Sequence, residues 1–423
     1  MKPLPRRIAA TATVAAVLLL QTVGNAVADP ELSPLDSGQC TPFPSTPGAE
    51  VPQAWHLDRL QMDVAWSVAT GDGIRVAVID TGVAAKGTPY FTPDRLKTLD
   101  FLGGPSEADL NARGMDCAHG TRVASLIAAA RPDGRNVDVR TNFSGIAPDA
   151  TIISYRALST SEAQQEPESV APTIAAVRAA TSEKVDIINL SQSVGRVDPL
   201  IDDYAAAVAA ALKQGIVVVA AAGNITEGVQ EASYPAAFPG VIAVGSSTPS
   251  DDADPTSRPG DYIAVAAPGS DITALLPSPV RDSAGQANQA YQAGLDGTSY
   301  AAPIVSGVVA LMLQLDPSLT PAQVLERLKA TADPPPSAVP DDRLGMGIIN
   351  PMRAMAGVMR PPSPAPTVTS SAPVQPLPTR EEPDMKPAVI AVGVGVGALV
   401  LAAVGLVAAM TIPAAVRRDR SEG

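Results

Sequence analysis

Two kinds of apolar pattern alternate along the chain. Short runs of β-branched and small residues recur between longer segments whose apolar positions return every three or four residues. Ile74–Ile79 is the first such run, and it ends on Asp80-Thr81-Gly82. Thr151–Ala157, Val185–Leu190, Gly215–Ala221, Val241–Gly245 and Tyr262–Ala266 follow as expected strands. Their near-continuous apolar character suits strands buried on both faces. Helical spacing covers His56–Ala69, with Leu57, Leu60, Val64 and Val68 on one face and Gly71 as the stop. It recurs over Gly120–Ala130, Val170–Ser182, Leu200–Lys213, Ala301–Leu315 and Pro321–Thr331, the last capped by Thr320. Strands alternating with helices predict an α/β fold with a mostly parallel central sheet covered on both sides.

The ends of the chain follow other patterns. Lys2, Arg6 and Arg7 precede an apolar stretch, Ile8–Leu20, and Ala26-Val27-Ala28 offers a small-residue cleavage site, so residues 1–28 read as an export signal. Residues 29–52 are rich in proline, serine and glycine and read as an irregular extension. Residues 360–387 hold nine prolines and read as a spacer, reaching about 85 Å if fully extended. Ala388–Ile412 then runs for 25 residues without a charge. As a helix it would measure about 37 Å, enough to cross a hydrocarbon core. Arg417, Arg418 and Arg420 follow, which puts residues 413–423 in the cytoplasm by the positive-inside rule and the body outside. Gly393 and Gly397 have the spacing of a helix-packing pair, a spacing chance also supplies in so glycine-rich a segment.

Composition narrows the function. A formal charge of −13 and a pI near 4.7 exclude nucleic acid as a natural partner. The two cysteines, Cys40 and Cys117, are expected to pair in an exported body, the alternative being two buried thiols. Such a bond would tie the extension to the segment before His119. No metal or other cofactor is expected.

Polar residues gather where a parallel sheet places its functional groups, beyond the strand ends. Asp80 ends the first strand, His119 opens the helix that follows Cys117, and Ser299 opens the helix running to Leu315. An acid, an imidazole and a hydroxyl are the parts of nucleophilic acyl transfer. Only two histidines are present, and His56 lies in an early helix-like stretch where it reads as structural, which leaves His119 as the base. Asn224 follows an apolar strand and offers an amide to an oxyanion beside the Ser299 N–H. Each residue also has a plain reading: a helix cap for Ser299, an Asx turn for Asp80, a left-handed turn for Asn224.

Taken together, Asp80-Thr81-Gly82, His119-Gly120-Thr121-Arg122-Val123-Ala124, Ala221-Ala222-Gly223-Asn224 and Gly297-Thr298-Ser299-Tyr300-Ala301-Ala302-Pro303 resemble the four signatures of subtilisin-like serine proteases, in that family's order. The resemblance covers residues 53–359. It implies a three-layer subtilisin-like fold with Ser299 as nucleophile, His119 as general base and acid, Asp80 as orienting acid, and Asn224 completing the oxyanion hole. It also implies that substrate lies extended along Ser191, Ser193 and Gly195, with Ala222 and Gly223 opposite. The usual Ser-x-Gly is displaced here to Ser191-Gln192-Ser193-Val194-Gly195, so either serine fits the role. The short extension leaves no room for a folded propeptide, and its removal is expected to cost stability without raising activity. Signal, cysteine-bearing extension, protease domain, spacer and membrane helix together resemble the mycosins, membrane-anchored proteases of type VII secretion. That likeness implies exported protein substrates and a membrane secretion complex as partner. Ser159–Glu168 and Ser278–Gln292 read as inserted loops.

Overall fold

The computed structural model describes residues 33–34, 40, 53–84, 90–103, 116–131, 142–159, 169–195, 198–225, 232–277, 280–281, 287–288, 291–336, 339–357 and 394–407. The export signal 1–28, the spacer 360–387 and the tail 413–423 lie outside them. So do residues 160–168 of the first inserted loop and all but Val394–Val407 of the expected span.

In chain order the larger unit holds β1 (Ser33–Pro34), α1 (Trp55–Arg59), α2 (Met62–Ala65), β2 (Arg75–Asp80), β3 (Leu96–Asp100), α3 (Ala118–Ala128), β4 (Thr151–Arg156), α4 (Ala171–Ser182), β5 (Ile187–Leu190), α5 (Ile201–Lys213), β6 (Val217–Ala221), β7 (Ile242–Ser247) and β8 (Val265–Pro268). It continues with β9 (Ile272–Leu275), β10 (Val280–Arg281), β11 (Ala287–Asn288), β12 (Tyr291–Leu295), α6 (Thr298–Leu315), α7 (Pro321–Thr331) and α8 (Pro351–Ala356). The main sheet has eight strands in the order β1-β3-β4-β2-β5-β6-β7-β8. Seven are parallel, and the short β1 joins β3 antiparallel. After β2 the chain places β3 and then β4 on one side, β4 lying between β3 and β2, and from β5 it builds outward on the other. β2 is therefore the point at which strand order reverses, and its carboxyl end is where an open α/β sheet leaves a crevice.

Successive strand residues face opposite layers, and both faces are apolar. Val76, Val78, Ile152, Ile187, Val217, Val219 and Val244 pack under α3 and α6. Ala77, Ile79, Ile153, Ile188, Leu190, Val218 and Ala243 pack under α4 and α5. By length and apolar character α6 would suffice to cross a membrane, but it is the buried central helix of the first layer.

The expected elements form with boundaries shifted by a few residues, and four readings change. His56–Ala69 is not one helix: Gln61 takes a left-handed φ of 54° and divides it into α1 and α2. The break turns Val64 and Val68 outward, 53% and 49% exposed, and buries Met62, Ala65 and Trp66 instead. Trp66 anchors that turn by donating its indole N–H to the Ile146 carbonyl at 2.9 Å. The helix that carries Ser299 starts at Thr298 rather than Ala301, so Pro303 stands past its first turn and provides no N–H to the Ser299 carbonyl. The described residues of the second inserted stretch form strands: β10 pairs with β11, and Tyr291 and Gln292 belong to β12, which pairs antiparallel with β9. Tyr291 is held there by the edges of Tyr90 and Phe143. Finally, β3, β9, β12 and α8 carry too little periodicity for the sequence to reveal them.

The second unit, residues 362–423, is described only as α9 (Val394–Val407), an exposed apolar helix. At 1.5 Å per residue it covers about 21 Å.

Candidate active site

Three segments converge at the carboxyl end of β2. Asp80 is its last residue and is fully buried. Its Oδ1 accepts from the Thr81 N–H at 2.7 Å and from His119 Nδ1 at 2.8 Å; Oδ2 stands 3.0 Å from the same nitrogen. A carboxylate in that position fixes the imidazole with its proton on Nδ1 and leaves Nε2 as acceptor. His119 is the second residue of α3, and the helix start is itself tied to the Asp80 loop. Thr81 Oγ1 accepts from the Gly120 N–H at 3.1 Å, and Thr121 Oγ1 accepts from the Ala84 N–H at 2.9 Å. Gly120 is required by this approach: a Cβ there would lie 2.2 Å from the Gly82 carbonyl oxygen.

The two cysteines are joined, as expected, with Cα atoms 5.6 Å apart. Cys117 is the N-cap of α3, so the bond fastens the extension two residues before His119.

Ser299 is the second residue of α6 and is half-buried. It is not the cap; Gly297 is, and no side chain caps the helix. The first N–H groups of the helix are distributed unevenly. Thr298 donates its N–H to Asn224 Oδ1 at 3.0 Å, and Tyr300 donates to the Gly297 carbonyl at 3.0 Å. The Ser299 N–H between them has no acceptor within the helix. Gly297 has φ 137°, and a Cβ on it would stand 3.0 Å from Asn224 Nδ2, so a side chain there would crowd that amide. α6 packs against α3, and the Tyr300 ring lies 5.7 Å from the His119 ring, centroid to centroid. Burial raises the pKa of the Tyr300 phenol, and the nearby Arg122 guanidinium opposes that shift.

Asn224 is exposed, and the left-handed turn beside it falls on Gly223, φ 93°, not on the asparagine. Its orientation is set from three sides. Oδ1 accepts from the Thr298 N–H and, at 3.2 Å, from the Thr298 hydroxyl; the backbone carbonyl accepts from Arg258 at 3.0 Å. With Oδ1 committed, Nδ2 is the group left facing the Ser299 end of α6.

Of the residues expected to line the substrate, Ser191 is buried and its Oγ accepts from Asn189 Nδ2 at 3.0 Å, whereas Ser193 and Gly195 are exposed. Val194 between them exchanges both backbone bonds with Tyr234. On the other wall, the Ala222 N–H goes to Val244 and its carbonyl accepts from the Tyr262 hydroxyl at 3.0 Å. The Gly223 N–H goes to Thr298 Oγ1 and its carbonyl to the Arg258 N–H. Both N–H groups are thus used, and each carbonyl already accepts one bond.

Sequence reasoning missed Thr298, which bridges Gly223 and Asn224, and the Arg258–Tyr262 pair behind them. It also missed Asn189 and Ser306, linked at 2.8 Å. The last two carried a signal: each is a polar residue inside an otherwise apolar run. His56 is fully buried on α1, remote from these segments in the chain, and burial lowers its pKa to about 3. Among the described residues no cluster of three or more His, Cys, Asp or Glu side chains could hold a metal ion.

Known proteins resemble this chain over most of its length. The profile of the subtilase family, Peptidase_S8, matches residues 71–347. Mycosin-4 of Mycobacterium tuberculosis is 35% identical over 76% of this chain and 73% of its own length. Mycosin-1 of the same organism is 32% identical over 97% of this chain and 98% of its own. Among solved structures, a chain of an intact ESX-5 inner membrane complex superposes with a TM-score of 0.59 at 27% identity, covering 89% of this chain and 100% of that one. The chain therefore belongs to the subtilase family, and it is a serine endopeptidase of the mycosin type.

Proposed function

We propose that this endopeptidase cleaves exported proteins by a Ser-His-Asp acyl-enzyme route at the outer face of a membrane. The observation that carries the route is the buried Asp80–His119 pair set against the start of α6. Ser299 Oγ attacks the scissile carbonyl as His119 Nε2 takes its proton. The negative charge on the carbonyl oxygen is held by the Ser299 N–H and Asn224 Nδ2. His119 returns the proton to the leaving amine, and water then repeats the sequence on the acyl-enzyme. The substrate backbone lies as an added strand along Ser193 and Gly195. Ser191 supports that edge from beneath, and Ala222 and Gly223 form the facing wall.

The domain assignment goes with this reading: signal 1–28, extension 29–52, protease 53–359, spacer 360–387, membrane helix 388–412 and cytoplasmic tail 413–423. The exposed apolar α9 lies within the proposed membrane helix and supports it. Likeness to the mycosins and to a chain of the ESX-5 inner membrane complex supports association with a type VII secretion complex. The same likeness favours a second reading, in which the protein is chiefly a structural part of such a complex and proteolysis is incidental.

Ser299→Ala separates the two. Incubating candidate exported proteins with wild type and variant, and mapping the new N-termini, should give discrete cuts that the variant abolishes. Loss of secretion on deleting the protein, with full secretion and no cleavage in the Ser299→Ala strain, would favour the structural reading.

A further inference from the structure

One polar group stands where the fold asks for an apolar one. Asn189 is the third residue of β5, fully buried, and its sheet neighbours in register are Val78 on β2 and Val219 on β6. Both valines belong to the core layer under α6. An amide placed there costs stability unless its polar atoms are bonded. Two bonds offset that cost, and they run in different directions. The Ser306 hydroxyl on α6, itself fully buried, donates to Asn189 Oδ1 at 2.8 Å. Asn189 Nδ2 donates to Ser191 Oγ at 3.0 Å.

The positions of the outer two residues give the link its meaning. Ser306 follows Ser299 by seven residues, two turns of helix, so both lie on one face of α6 about 10 Å apart along its axis. Ser191 is the first residue beyond β5, at the base of the edge that carries Ser193 and Gly195. Directed bonds fasten α6 at its two ends, Thr298 to Asn224 and Gly223, and Gln314 to the N–H groups of Thr70 and Gly71. Between them its packing on the strands is largely apolar and non-directional, and the Asn189–Ser306 bond adds a directed contact there.

We propose that Asn189 and Ser306 are positioning residues that set the axial register of α6 against the substrate edge. They thereby fix the distance from Ser299 Oγ to the carbonyl of a peptide paired with that edge. The inference rests on the reading that substrate pairs along Ser193 and Gly195. A displacement of about 1 Å at such a point can cost about 10²-fold in rate.

The test compares two reactions of one full-length protein in detergent. Labelling of Ser299 by a small fluorophosphonate needs the nucleophile and base but no paired peptide. Turnover of the tetrapeptide anilide that wild type cleaves best, chosen from a mixed pool, needs the edge as well. Its one-residue counterpart provides the length control. In Ser306→Ala, labelling should stay within about twofold of wild type, while tetrapeptide kcat falls about tenfold or more with KM little changed. The double variant Asn189→Leu, Ser306→Ala removes the Asn189 amide and the Ser306 hydroxyl together, so that of the link only the Ser191 hydroxyl loses its partner. It should recover much of the thermal stability lost in Ser306→Ala without recovering tetrapeptide turnover. Tetrapeptide turnover that returns with stability in the double variant would overturn the proposal, because the link would then be structural only. Labelling and turnover falling together would also overturn it. Failure of the underlying reading shows separately, in wild type alone, as equal kcat/KM for the tetrapeptide and one-residue substrates.

Discussion

The two sides of the site are built on opposite terms. On the acid–base side, Asp80 is fully buried, His119 is 7% exposed, and the loop and helix that carry them are tied through Thr81, Gly120, Thr121 and the Cys40–Cys117 bond. On the Ser299 side, Ser299 is half-buried and Asn224 exposed, and Asn224 is held by the Thr298 N–H on its Oδ1 and by Arg258 on its backbone carbonyl. The difference follows from what each side must meet. A carboxylate that stabilises an imidazolium acts most strongly away from water, where fields are weakly screened. On the proposed route Ser299 and Asn224 must stay open to the peptide, so Asn224 is held from behind and Ser299 by its place in the helix. Rigidity on one side comes from burial, and on the other from hydrogen bonds that leave the working atom outward.

Two substitutions press on that comparison. Asp80→Asn should cost most, because an amide in the buried position donates to Nδ1 and leaves the proton on Nε2, where the base cannot accept. A fall of about 10⁴ in kcat with KM little changed is expected in steady-state peptide hydrolysis. Asn224→Ala removes one exposed donor and leaves the Ser299 N–H. About 10²–10³ in kcat is expected, the loss seen when a subtilisin is deprived of its corresponding amide. Equal losses at the two positions would break the contrast between a buried organiser and an exposed donor.

The smallest effect concerns stability and lies away from the chemistry. Burial lowers the pKa of His56 to about 3, below its ordinary 6.5, so only the unfolded chain takes up this proton between those values. The stability held by the neutral ring is therefore complete above about pH 6.5 and is lost as pH falls toward 3. The slope approaches about 1.4 kcal/mol per pH unit for one proton. His56→Phe should flatten that part of the unfolding profile, measured by denaturant melts across the range. An unchanged slope would locate the acid sensitivity elsewhere.

Most of the sheet was legible in the sequence because its strands are buried on both faces and read as continuous apolar runs. The capped helix α7 was read to the residue, since Thr320 and Gln323 form a reciprocal capping box. What the sequence hid depends on single backbone angles or on distant partners. The left-handed Gln61 redirects Val64 and Val68 to the surface, and nothing in the helical spacing marks it. β12 is stabilised by pairing with β9 and by Tyr90 and Phe143, contacts made only once the chain has folded. In the candidate site, Asp80, His119, Ser299 and Asn224 stand in short motifs, so the sequence could nominate them. Thr298, Arg258 and Asn189 act through bonds to residues far along the chain, so their parts emerge only from the fold.

The central claim is that one serine, activated by one buried acid–base pair, does the chemistry. It is tested most directly by reacting the full-length protein with a fluorophosphonate and locating the adduct by peptide mass spectrometry. A single adduct on Ser299, formed at wild-type rate only while His119 is present and lost in His119→Ala, is the predicted result. An adduct on another residue, or labelling of Ser299 at an undiminished rate in His119→Ala, would contradict the account.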